Sequence, residues 1–79
     1  MLKQEYNYWL SNIPGIGSVK IELLLNTFGN AEEVFRASGD SLIKRIKEAR
    51  REEPVRFFNS DVERILGSRD EEKVHRDYS

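Results

Sequence analysis

Two glycines separated by one residue, with a proline in front of them, most restrict the fold of this 79-residue chain. The segment Ile13–Gly17 reads IPGIG, and apolar residues at helical spacing lie on both sides of it. Proline cannot continue an incoming helix, and glycine accepts backbone conformations that other residues disfavour. We therefore predict that one helix ends before Pro14, that a second begins directly after Gly17, and that a tight turn joins them.

This arrangement leaves backbone N–H groups free at the start of the second helix, where the helix dipole is positive. Such a surface suits a phosphate. We predict a helix-hairpin-helix over about residues 5–28, a motif that commonly grips nucleic-acid backbones without reading sequence. Its candidate DNA-binding residues are Gly15, Ile16, Gly17, Ser18 and Lys20. The spacing fits equally well a turn that merely connects two packed helices.

The rest of the chain repeats short apolar runs at helical spacing, separated by glycine, proline or capping residues. No segment alternates apolar and polar residues with a period of two, so no strand is predicted. Ser60 and Ser68 each precede a glutamate by three residues and are expected to open the last two helices. The predicted fold class is all-α: a compact bundle of five to six short helices forming a single domain over residues 1–79.

Two predictions concern the core. Leu2, Tyr6 and Trp9 share the apolar stripe of the first helix, so we expect all three to face inward. Phe57 and Phe58 lie in the connection that follows the helix-breaking proline, and at least one of them is expected to fill the core.

A second candidate site is the segment Lys44–Arg51, which holds five cations and one anion. Lys44, Lys47 and Arg51 share one helical face and are secondary candidates for contact with a phosphate backbone. An ordinary solvated helix face is the preferred alternative, because cations near a helix C-terminus are favoured by the helix dipole.

The composition argues against several classes of function. The formal net charge is −1, whereas dedicated duplex binders are usually basic. The chain has no cysteine, and its one histidine, His75, has no plausible second metal ligand nearby. No nucleophile or paired acid stands out, so we predict no enzyme activity, no metal and no cofactor. Apolar runs are too short for a signal segment or a membrane span, and a cytoplasmic location without a membrane partner is expected.

The segment Glu5–Ile43 resembles the N-terminal helical domain of the DNA-processing protein A family, also called DprA or Smf. The resemblance rests on the helix containing YNYWL that ends in IPGIG, and on the LLNTFGNAEEV that follows. The segment Ser68–Tyr78 is similar to the helix that leads towards the main domain of that family. The resemblance implies a SAM-like helical fold with a helix-hairpin-helix.

The same resemblance implies a role in natural transformation and in the handling of incoming single-stranded DNA. In that family, strand protection and loading of the recombinase RecA are chiefly assigned to a Rossmann-like domain. No glycine-rich strand–turn–helix pattern occurs here, so that domain is expected to be absent. Many relatives carry a second Pro-Gly-Ile-like turn after the fourth helix, where this chain has EEPVRFF, so one hairpin is expected.

Two functional hypotheses follow. The first is an accessory DNA-binding module that makes weak, sequence-independent contact with the phosphate backbone. Single-stranded DNA is the more expected partner, and an interaction with RecA is expected only through the full-length protein. The second is a protein-interaction or structural domain that packs on a Rossmann-like domain or self-associates. The near-neutral charge favours the second hypothesis, which requires an exposed apolar patch, expected around Tyr8 or Phe57–Phe58.

Overall fold

The structure is a computed structural model that describes all 79 residues of the chain. It contains six α-helices and no strand. The prediction of an all-α bundle of five to six short helices is confirmed. The helices are α1 Lys3–Ser11, α2 Ser18–Phe28, α3 Ala31–Arg36, α4 Gly39–Ala49, α5 Asn59–Gly67 and α6 Glu71–Tyr78. None of them has the length and apolar character needed to cross a membrane.

A single core of 16 buried apolar side chains receives contributions from all six helices. Tyr6 and Trp9 lie in this core as predicted, and the ring of Phe35 meets both edge-on, at centroid distances of 5.3 and 4.9 Å. Leu2 is instead 64% exposed. It precedes the first helical turn in an extended conformation, so its side chain leaves the stripe that the spacing assigned to it.

The turn between α1 and α2 is anchored by two buried isoleucines, Ile13 and Ile16, which flank its exposed tip. Ile16 donates its backbone N–H to the Ile13 carbonyl at 3.2 Å. Gly15 has a φ of +82°, the left-handed region that favours glycine, whereas Gly17 has a φ of −83° and a ψ of 174°. Only Gly15 therefore needs the conformational freedom of glycine, because Gly17 is extended.

Ser68 is the C-cap residue directly after α5 and does not begin α6, contrary to the sequence-based expectation. The indole Nε1 of Trp9 lies 2.9 Å from Ser68 Oγ and 3.1 Å from its carbonyl oxygen, so this buried N–H is satisfied across the bundle. Asp70 caps α6 by accepting a hydrogen bond from the Lys73 N–H. The tertiary contact with Trp9 thus overrides the local capping pattern.

The connection between α4 and α5 is held to the bundle at Phe57, which is buried, while Phe58 is 57% exposed. Arg50 donates from Nη1 to the Phe57 carbonyl at 3.2 Å and fixes the connection to the end of α4. The prediction that at least one phenylalanine fills the core here is confirmed. Ser60 does not open α5, because the helix already begins at Asn59.

Candidate nucleic-acid interface

Between Gly15 and Lys20, five backbone N–H groups donate to no acceptor within the protein. They belong to Gly15, Gly17, Ser18, Val19 and Lys20. Gly17 precedes α2 and has no side chain that could cap the helix. Unpaired donors at the positive end of a helix dipole form a surface that suits an anion.

Lys20, the predicted cation of the hairpin, is already engaged by a buried carboxylate. Its Nζ lies 3.1 Å from Asp61 Oδ2 and 5.9 Å from the centre of the Phe57 ring. The Lys20 side chain is only 22% exposed. The structure thus uses this ammonium to join α2 to α5, and a phosphate at the hairpin would have to compete with Asp61 for it.

Asp61 collects three donors although its side chain is only 2% exposed. Oδ2 accepts from the Phe58 N–H at 2.8 Å as well as from Lys20, and Oδ1 accepts from Arg64 Nη1 at 3.2 Å. Burial alone would raise the pKa of Asp61. The hydrogen bonds from Phe58 and Lys20 and the charges of Lys20 and Arg64 outweigh burial, so the pKa lies below its ordinary value.

Arg64 borders the hairpin turn from α5. Its side chain packs so closely on the backbone of Gly15 that a Cβ at Gly15 would lie 3.1 Å from Arg64 Nε. The Arg64 side chain is 51% exposed, which places a positive charge beside the turn. Sequence reasoning missed this residue, because no local pattern links α5 to the hairpin.

The structure brings together two of the three secondary candidates, although Arg51 lies beyond the end of α4 and so is not on the helical face that the spacing predicts. Lys44, Lys47 and Arg51 are all exposed and form no ion pair. Lys47 and Arg51 line a surface cleft that Lys44 does not reach. We call it the basic cleft, and its lining residues are Lys47, Arg50, Arg51, Pro54, Val55 and Arg56.

A second depression, the hairpin groove, runs from the start of α2 to the same connection. Its lining residues are Gly17, Ser18, Val19, Lys20, Pro54, Val55 and Arg56. Arg56 is exposed and has no ion-pair partner, so it supplies an uncompensated positive charge to this groove. The sequence marks a break in the helical pattern at Pro54, but the fold alone shows that Arg56 adjoins the hairpin.

Carboxylates from the same stretch of chain line a different cleft. Glu48, Glu52 and Glu53 surround it together with residues of α2 and with Arg45. Apart from Arg45, neighbouring residues of opposite charge at the end of α4 therefore lie on separate surfaces. A chain with a net charge of −1 can consequently present a locally positive surface.

The structure contains no group of three or more side chains that could hold a metal ion. His75 lies with Nδ1 3.1 Å from Oε2 of the buried Glu5, a contact that joins α6 to α1.

Comparisons of the chain with models of protein families, with curated proteins and with solved structures found no match.

Proposed function

We propose that this domain binds the phosphate backbone of DNA weakly and without reading its sequence. The observation that supports this function is the set of five unpaired N–H groups at the start of α2. Backbone N–H groups at helix N-termini position a protein on phosphates but carry no sequence information. Gly15, Gly17 and Ser18 form the contact, and Lys20 supports it by fastening α2 to Asp61. Ile16, also predicted as a contact residue, instead anchors the turn, because its N–H is bonded to Ile13 and its side chain is buried.

The resemblance of residues 5–43 to the DNA-processing protein A family supplies the wider context of the proposal. It assigns the domain an accessory role in a protein that handles single-stranded DNA during natural transformation. Contact with RecA would be made through other parts of such a protein. Lys44 and Lys47 on α4, and Arg51 just beyond its end, stay secondary candidates.

A Gly17→Val variant tests the hairpin contact. The Gly17 backbone is extended and no atom lies within 4 Å of a Cβ placed there, so valine fits without strain. Its branched side chain would stand beside the free N–H groups and keep a phosphate away. We expect affinity for every oligonucleotide sequence to fall about tenfold, as for the loss of one charge-assisted hydrogen bond.

Fluorescence anisotropy with labelled single-stranded and duplex oligonucleotides measures this loss. Asn7→Val is the matched control, because it adds the same side chain at an exposed position of α1 outside the groove and the cleft. If Gly17→Val and Asn7→Val bind as tightly as the wild type, the hairpin is not the contact surface.

A protein-interaction role is the second candidate, and the exposure of Phe58 favours it. The expected patch does not include Phe57, which is buried, and Tyr8 is half-buried against the ring of Tyr78 at 5.5 Å. A Phe58→Ser variant would leave the core intact because Phe57 fills it. Light scattering over a range of protein concentrations should show self-association that Phe58→Ser abolishes, whereas a wild-type monomer throughout would exclude self-association.

A further inference from the structure

The basic cleft carries positive charge that is not neutralised by any ion pair within the protein. Lys47, Arg51 and Arg56 form no ion pair, and no carboxylate lines the cleft. A fourth cation, Arg50, gives one N–H to the Phe57 carbonyl. Four like charges on one concave surface repel one another, so an anion bound among them relieves that repulsion.

The connection that forms one wall of the basic cleft is fixed in place. The N–H groups of Glu52 and Glu53 both donate to the Ala49 carbonyl, at 3.2 and 3.0 Å, which curls the chain back at the end of α4. The other end of the connection is held by the buried ring of Phe57 and by the hydrogen bond from Arg50 to the Phe57 carbonyl. A charged surface that is already ordered loses less entropy when it binds a ligand.

The basic cleft and the hairpin groove meet at Pro54, Val55 and Arg56, which line both of them. An anion on the free N–H groups of α2 and an anion in the cleft would thus lie on either side of Arg56. A nucleic-acid backbone presents one phosphate per strand for about every 3.4 Å of duplex axis. Linked phosphates on one strand match two neighbouring sites better than separate small anions do.

We propose that the basic cleft is a second phosphate-binding site, formed by Lys47, Arg51 and Arg56, which holds a phosphate of the same nucleic-acid backbone that the hairpin contacts. The proposal rests on the proposed function, since it takes the hairpin as the first contact. It replaces the helix face predicted from spacing with a site built from two segments. Lys44 lies outside this site, and Arg56, which the helical pattern does not include, lines it.

Nuclear magnetic resonance titration of the full chain with a short oligonucleotide observes both sites at once. The backbone amides of Gly17 and Ser18 report on the hairpin, and the side-chain Nε–H signals of Arg51 and Arg56 report on the cleft. We expect both sets of signals to shift along one binding curve.

The other outcomes separate the two proposals. Shifts of the amides alone would overturn the second site and leave the hairpin function standing. Shifts of the arginine signals alone would support the cleft as a phosphate site and reject the hairpin contact. No shift in either set would overturn both. An oligoglutamate peptide that moved the arginine signals at the same concentration as the oligonucleotide would overturn the assignment to phosphate.

Two lysines one helical turn apart provide a matched pair of variants. Lys44→Gln and Lys47→Gln remove the same charge from the same exposed helix, but only Lys47 lines the cleft. We expect Lys47→Gln, like Arg56→Gln, to weaken binding several-fold and to make the salt dependence of binding shallower. Lys44→Gln should change neither quantity, and an equal loss from both lysine variants would overturn the second site.

Discussion

Asp61 is the residue that most directly fixes the hairpin helix to the rest of the bundle. Its carboxylate bonds to Lys20 of α2, to Arg64 of α5 and to the N–H of Phe58 in the preceding connection. Each donor approaches from a different segment, so the orientation of α2 depends on this one side chain. Removing the charge would leave Lys20 half-buried without its partner, which is unfavourable.

The lowered pKa of Asp61 predicts how stability depends on pH. A depressed pKa contributes stability that is present above the unfolded-state value of about 3.9 and is lost as pH falls through the folded value. We expect Asp61→Asn to lower the free energy of unfolding at neutral pH by about 1–3 kcal/mol. Urea unfolding from pH 7 into the acid range should show the wild type losing this advantage below about pH 4. Parallel pH profiles for the two proteins would contradict the assignment.

At the scale of helices, α2 begins without the kind of side-chain cap that opens α3, α4 and α6. Asn30 and Ser38 cap α3 and α4 through their side chains, and Asp70 caps α6. The equivalent position of α2 is Gly17, whose lack of a side chain leaves the first N–H groups unpaired. The helix is thus less stable at its start than a capped helix, and it is open to an external anion for the same reason.

A capping residue at the start of α2 should raise stability and lower DNA affinity together. In Gly17→Asp the carboxylate would accept from the free N–H groups and complement the helix dipole. We expect the free energy of unfolding to rise by about 0.5–1 kcal/mol. Oligonucleotide affinity should fall at the same time, because the carboxylate occupies the donors and repels phosphate. Thermal unfolding and anisotropy on the same sample check both effects, and a stabilised variant that binds like the wild type would contradict the proposed site.

Local chemistry explains which elements could be predicted from sequence. Asn30 accepts from the Glu33 N–H three residues later, a local capping contact, and Gly29 follows α2 with a φ of +97°. Ser68 fits the same type of capping pattern, but its hydroxyl oxygen accepts a hydrogen bond from the indole of Trp9, which lies near the other end of the chain. Arg56 and Arg64 could not be found for the same reason, since their places beside the hairpin are set by tertiary packing.

On the scale of the whole molecule, the distribution of charge matters more than its sum. The net charge of −1 argues against DNA binding only if the charges are spread evenly. In the folded chain Glu48, Glu52 and Glu53 line one cleft, while Lys47, Arg51 and Arg56 line another. The proposed function accordingly requires only a small number of phosphates, bound at the locally positive surface.

The most direct test of this account is the salt dependence of wild-type binding to a labelled duplex oligonucleotide, measured by fluorescence anisotropy. Each neutralised phosphate contributes about −0.9 to the slope of log K against log salt concentration. A hairpin and a cleft that each hold one phosphate predict weak binding with a slope of about −2. Absence of binding at the lowest salt concentration, or an affinity that does not change with salt, would contradict a phosphate-binding surface.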